Sequence, residues 1–283
     1  MISIKRIGVA GAGAMGAGIG QIFAQFDHEV VLFDTDAGQL DKARAEINKN
    51  LDISIVKGKL TEAGKAQTLG RISFSGNIES LKGDLLVEAI VEKAEVKREL
   101  FLKLSEINTP ETILATNTSS IPVTRIAKGI SNPQRIVGMH FFNPAHLMKL
   151  VEVISGEETS KEVMETIKQI CIAIGKTPII CKDSPGFIVN RVARHYYLES
   201  LRLLEEKNAL IEDIDALMES AGFKMGPFRL MDYVGNDINL AVTSSLFDSF
   251  HQEPKFRPSR IQEQKVSAGH LGKKTGRGFY IYK

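Results

Sequence analysis

Three groups of residues in this chain of 283 residues have the types and spacing to do chemistry. The first is a glycine run, Gly11-Ala12-Gly13-Ala14-Met15-Gly16, which fits G-x-G-x-x-G, with Asp34 lying 18 residues after its last glycine. The pattern gains meaning when a strand precedes it and a helix follows, with an acid about 20 residues on. In that setting Gly11 makes the tight turn, Gly13 lets the backbone approach a pyrophosphate, and Gly16 lets helix and strand pack closely. The helix N-terminus then offers N–H groups and the positive end of its dipole to the phosphates. A carboxylate at Asp34 hydrogen-bonds a ribose 2′-hydroxyl and repels a 2′-phosphate. Thr35, Asp36 and Ala37 supply no cation to receive that phosphate. The expected cofactor is therefore NAD rather than NADP.

The second group is His140, followed by Phe141 and Phe142, with Glu152 twelve residues on. A partly desolvated imidazole is a candidate general base, and a carboxylate beside it would orient the ring and stabilise its charged form. Taken alone, His140 is as readily a satisfied core histidine. Glu152, between Val151 and Val153, is as readily a solvent-facing strand residue. The third group is Asn117-Thr118-Ser119-Ser120, a polar run directly after an apolar one.

These residues need elements to position them. Short apolar runs predict strands over 4–10, 29–34, 85–90, 112–115, 135–140, 149–154 and 178–181. Helical periodicity predicts helices over 15–26, 38–55, 93–107 and 161–174. Strands alternating with helices predict an α/β fold, a Rossmann-like, doubly wound, mostly parallel sheet. In such folds ligands bind beyond the carboxyl ends of the strands, where all three groups fall. After Asp183-Ser184-Pro185-Gly186 the pattern becomes helical, with an apolar stripe of Val189, Val192, Tyr196, Leu201 and Leu204 and a further helix over 213–221 stopped by Gly222. The expected division is a NAD-binding domain over 1–184 and an all-α C-terminal domain over 185–283.

Composition narrows the field. Hydrophobic residues at 43% and charged residues at 25% belong to an ordinary globular protein. A net charge of +2, evenly spread along the chain, gives no basic face for nucleic acid or an anionic membrane. The uncharged opening over 7–20 is too rich in glycine for a leader helix, and no apolar stretch is long enough to span a bilayer, so a cytoplasmic protein is expected. Cys171 and Cys181 are too few for a disulfide framework and read as small buried apolar residues. The six histidines show no metal-ligand spacing, and no metal is expected.

Together with the glycine fingerprint, the strings NTSS, GMHFFNPAHLMKLVEVI, KDSPGFIVNR, KMGPFRLMDYVG and GKKTGRGFYIY resemble the L-3-hydroxyacyl-CoA dehydrogenase family, most of all its bacterial 3-hydroxybutyryl-CoA members. The resemblance runs over essentially the whole chain. It implies NAD-dependent oxidation of a 3-hydroxyacyl-CoA in a cleft between the domains, by a homodimer joined through the C-terminal domain. It makes His140 the catalytic base and Glu152 its orienting partner. Ser119 becomes a hydrogen-bonding group on the substrate's C3 oxygen, near the nicotinamide, and Asn190 completes the active site. Glu92, Lys97, Asn143 and Lys274 match positions that contact NAD. Lys57 matches a lysine on the CoA moiety, although Asn50 stands where the family often has a second CoA-contacting residue, a serine. Within this resemblance, RHYYLESLRLLEE and GFKMGPFRLMDYVG are also similar to members that act on longer, carboxylated acyl groups in phenylacetate degradation. Two other readings share the fingerprint: a β-hydroxyacid dehydrogenase, against which NTSS and HFFNP speak, and a crystallin-like structural protein that binds NAD.

Overall fold

The computed structural model describes residues 4–282. Met1, Ile2, Ser3 and Lys283, at the outer ends of the two expected domains, lie outside the described residues. The chain contacts divide into two compact units, with the break between Ser184 and Pro185.

The first unit alternates strand and helix. Its elements in order are β1 (Arg6–Ala10), α1 (Ala14–Gln25), β2 (Glu29–Phe33), α2 (Ala37–Val56), α3 (Glu62–Gly70), β3 (Ile72–Ser75), β4 (Leu85–Glu88), α4 (Ala94–Ile107), β5 (Ile113–Thr116), α5 (Val123–Ala127), β6 (Ile136–Phe141), β7 (Leu150–Ser155), α6 (Lys161–Ala173) and β8 (Thr177–Lys182). The eight strands form one sheet in the order β3-β2-β1-β4-β5-β6-β7-β8. Every neighbouring pair is parallel except β6 with β7. The order reverses between β1 and β4, which is where an open α/β sheet leaves a crevice at its carboxyl edge.

Residue types explain these elements. β4, β5 and β6 are buried along their whole length, as central strands covered on both faces are, and they read as continuous apolar runs. Each of three helices starts at a side-chain cap: Asp36 accepts from the Gly38 N–H, Thr61 from Gly64, and Ser160 from Val163. α2 buries Ala43, Ile47 and Leu51, four residues apart on one face.

Three elements escape the sequence expectation. α3 buries only Thr68 and so has no apolar period. β3 is the four-residue edge strand ISFS, and α5 is a five-residue helix. The sheet is mostly parallel, as expected, with one exception: no helix separates β6 from β7, so the chain returns antiparallel beside itself.

The second unit is helical: α7 (Val189–Glu205), α8 (Ile211–Ser220), α9 (Pro227–Val234), α10 (Asn236–Ser249) and α11 (Arg260–Ser267). Its core gathers Tyr197, Leu201, Ile214, Phe228 and Met231. The expected α7 stripe is only partly realised. Val192 is 67% exposed, while Arg194 is buried at 2%. Among the described residues no helix is long and apolar enough to cross a membrane.

Candidate active site

The glycine loop follows β1 and opens α1. Gly11 takes φ +101°, and its N–H donates to the Phe33 carbonyl at 2.8 Å, tying the turn to β2. A Cβ at residue 16 would overlap the Gly11 carbonyl oxygen, so only glycine lets the first helical turn sit this close to the loop. A Cβ at Gly13 would meet nothing within 4 Å. Gly13 is the N-cap of α1, and no acidic residue stands in that helix's first turn. The loop therefore presents open, backbone-lined space at a helix N-terminus, which fits the pyrophosphate of a dinucleotide. Ala14 and Met15 belong to that first turn. Asp34 closes the far side. Its Oδ2 accepts the Ala12 N–H at 2.8 Å and its Oδ1 the Asp36 N–H at 3.0 Å. Each carboxylate oxygen has a second lone pair to offer a ribose hydroxyl.

Strand β6 carries His140 and β7 carries Glu152. Antiparallel pairing places them directly across from each other, in register His140↔Glu152. His140 Nδ1 lies 2.8 Å from Glu152 Oε2. Glu152 has no exposure and His140 has 6%, so the solvent-facing reading of Glu152 is excluded. With Nδ1–H donating to the carboxylate, the neutral ring carries its basic lone pair on Nε2. Phe142 packs on the ring, with centroids 4.6 Å apart.

The NTSS segment follows β5 and is built around Glu92. The Glu92 carboxylate accepts from the Thr118 hydroxyl at 2.5 Å, the Ser119 N–H at 2.9 Å and the Ser120 N–H at 3.1 Å. Lys97 holds its other oxygen at 3.1 Å. Lys97 itself is 1% exposed, its ammonium 2.5 Å from Glu88, which is fully buried at the end of β4 and also accepts from Thr116. Burial drives the Glu88 carboxyl above the ordinary carboxylate value, with Lys97 pulling it back. Burial also lifts Glu92, but Lys97 and the hydrogen bonds from Thr118 and Ser119 outweigh it and leave Glu92 below that value. Lys97 thus orders Glu92 and the NTSS backbone from beneath. Asn117 pins the same segment to β6, its Oδ1 accepting the Phe141 N–H at 2.8 Å.

Asn143 is exposed in the turn after β6. The buried Lys176 clamps that turn by donating to the carbonyls of Ala145 at 2.6 Å and Met148 at 2.8 Å. Lys57 is the exposed C-cap of α2, and Asn50, one helical stretch earlier, donates to Gln21 of α1. In the second unit, Asn190 stands in the first turn of α7, and the Lys274 ammonium lies 2.7 Å from Asp237. That partner, together with hydrogen bonds from the backbone, holds Asp237 below its usual value against the lift from burial. Among the described residues no group of three or more His, Cys, Asp or Glu is arranged to hold a metal ion. Cys171 is buried as expected, but Cys181 is only half-buried, on β8. Burial pushes both thiols up to about 12.

Sequence reasoning missed Glu88, the anchoring role of Asn117, and Lys176. Glu88 left one signal, an acid ending an apolar strand; Lys176 left none.

The NAD binding domain model of 3-hydroxyacyl-CoA dehydrogenases matches residues 6–184, and the C-terminal domain model of the same family matches 186–282. The chain belongs to the 3-hydroxyacyl-CoA dehydrogenase family. It is 47% identical over its full length to a 3-hydroxyadipyl-CoA dehydrogenase of Escherichia coli, and it spans 60% of that relative's length. It is 44% identical to the mitochondrial hydroxyacyl-coenzyme A dehydrogenase of Rattus norvegicus, covering all of this chain and 92% of that one. Among solved structures, an (S)-3-hydroxybutyryl-CoA dehydrogenase from Ralstonia eutropha superposes with a TM-score of 0.96 at 40% identity, over 99% of this chain and 100% of that one. In this family the match extends through both units, so the β-hydroxyacid reading is set aside.

Proposed function

We propose that the chain oxidises (S)-3-hydroxyacyl-CoA to 3-oxoacyl-CoA with NAD, and catalyses the reverse reduction, with 3-hydroxybutyryl-CoA as the first substrate to test. The observation that carries this reading is the buried His140–Glu152 pair on facing strands, in the same sheet whose first strand leads into a loop shaped for a dinucleotide. Bound NAD supplies the hydride acceptor. His140 Nε2 takes the proton of the 3-hydroxyl, and Glu152, on Nδ1, fixes the tautomer and stabilises the imidazolium that forms. In the reverse direction the imidazolium returns that proton. The Ser119 hydroxyl and the Asn190 amide hold the C3 oxygen as it becomes a carbonyl.

The glycine loop over 11–16 and Asp34 hold the nucleotide, with Asp34 selecting NAD over NADP. Glu92, Ser119, Asn143 and Lys274 are assigned to the cofactor as well, with Lys97 acting through Glu92. Lys57 and Ser119 are assigned to the acyl-CoA. The intact set Ser119, His140, Glu152 and Asn190 speaks for an enzyme over a crystallin-like structural protein. We further propose a cytoplasmic homodimer joined through the second unit, where Leu210, Leu217 and Tyr233 are more than 60% exposed.

The test is spectrophotometric. Purified protein should oxidise NADH with acetoacetyl-CoA, and reduce NAD with (S)-3-hydroxybutyryl-CoA. No absorbance change with either substrate would defeat the proposal.

A further inference from the structure

Ser119 sits in a stretch that belongs to no strand or helix. β5 ends at Thr116 and α5 begins at Val123, so side chains from elsewhere must fix residues 117–122. The front of the stretch is tied twice, by Asn117 to the Phe141 N–H and by Glu92 to the Ser119 and Ser120 N–H groups. The back is tied by a residue that the proposed chemistry does not use. Asp183 follows β8. Its Oδ1 accepts the Val123 N–H at 3.0 Å and its Oδ2 the Thr124 N–H at 2.8 Å.

The first N–H groups of a helix have no acceptor within it, and the N-cap side chain normally lends an oxygen. The N-cap of α5 is Pro122, which has no side-chain oxygen to lend. The acceptor comes instead from 60 residues further along the chain than Val123. Both bonds run to one carboxylate, and hydrogen bonds to an ionised acceptor are shorter and stronger than those to a neutral one. The anchor is itself held to the sheet, the Asp183 N–H donating to the Ser155 carbonyl at the end of β7 at 3.1 Å.

The seat beneath is shaped to match. Val123 is fully buried. A Cβ at Gly138 would stand 3.0 Å from one Val123 methyl, and a Cβ at Gly156 would stand 3.2 Å from the other. Gly138 lies two residues before His140 on β6, and Gly156 directly follows β7, the strand of Glu152. Asp183 therefore holds Val123, four residues after Ser119, down on the two strands that carry the His140–Glu152 pair.

We propose that Asp183 is a positioning residue of the active site. By clamping the start of α5 it sets the place of the Ser119 hydroxyl relative to His140, and with it the place of the C3 oxygen that both groups address. This inference rests on the dehydrogenase reading and deepens it.

Asp183 also stands next to Ser184, where the first unit ends, so a double-mutant cycle is needed to separate the two routes by which it could act. With acetoacetyl-CoA and NADH, Asp183→Ala should lower kcat by about 10–100-fold, the scale on which a displacement of about 1 Å is felt. KM should change much less, and NADH affinity, assigned to the glycine loop and Asp34, should stay near the wild-type value. Asp183→Asn keeps the shape and one acceptor oxygen, and its kcat should fall between the two. In a Ser119→Ala background, Asp183→Ala should cost almost nothing further, because no hydroxyl remains to be misplaced. An equal fold-loss in both backgrounds overturns the inference, since the carboxylate then acts through stability or the exit of the chain. A kcat near wild type in Asp183→Ala overturns it too, and leaves the dehydrogenase reading standing. Wild-type protein without turnover of acetoacetyl-CoA sinks that reading and the inference with it.

Discussion

Glu152 has no exposure, and a buried carboxylate needs a hydrogen-bond donor. His140 answers it at 2.8 Å, and the antiparallel register of two strands supplies the alignment. Neither residue revealed the other in sequence, because a spacing of twelve residues says nothing about which strands are neighbours. The motifs around them carried the pairing only through resemblance. Asp34 was legible in itself, since an acid after the second strand of a glycine fingerprint has a stated chemical purpose. Its second use was not: the Ala12 N–H bond at 2.8 Å makes it part of the loop it faces. Under the proposed function, discrimination between cofactors is assigned to this one carboxylate. Wild-type kcat/KM should favour NADH over NADPH by about two orders of magnitude or more, the cost of facing two anions without a screening cation. Asp34→Ala should narrow that ratio. Equal use of both cofactors by the wild type would refute the assignment.

The sheet was legible because its strands are apolar runs between helices of clear period. What stayed hidden were elements with weak patterns, such as β3 and α3, and the antiparallel return of β7. The Glu88–Lys97–Glu92 chain was hidden for a different reason. Lys97 on α4 reads as a solvated charge, yet the end of β4 places a carboxylate under it. Lys97→Met should destabilise the protein by about 3–5 kcal/mol in denaturant unfolding, since it strands a buried carboxylate. Glu88 already sits above the ordinary carboxylate value, and losing Lys97 lifts it further. A group raised in the folded state favours folding below its unfolded value, near 4.5, and loses that contribution as the pH climbs through the folded value. The variant's deficit should therefore be larger at neutral pH than in mild acid. A deficit that is absent, or independent of pH, would contradict the buried-pair account.

Across the whole molecule, the C-terminal string that first served only as a family mark turns out to latch the second unit. Asp232 is fully buried and accepts the Phe279 and Tyr280 N–H groups, each at 2.9 Å, and the Tyr282 hydroxyl at 3.0 Å. Asp215 takes the Tyr280 hydroxyl at 2.8 Å. Sequence could not show this, because the partners are 47 to 65 residues apart and no local pattern links an aspartate in one helix to a distant tail. Truncation after Gly276 removes those donors, at about 1–3 kcal/mol for each buried acceptor left unmatched. The second unit's thermal transition should fall by several degrees, and an unchanged transition would argue against the latch. The proposed chemistry turns on His140. In His140→Gln, titration with NADH should show the cofactor still bound, while turnover of acetoacetyl-CoA falls by about 10²–10⁴-fold, the usual worth of a positioned acid–base group. Turnover within a few-fold of wild type would contradict it.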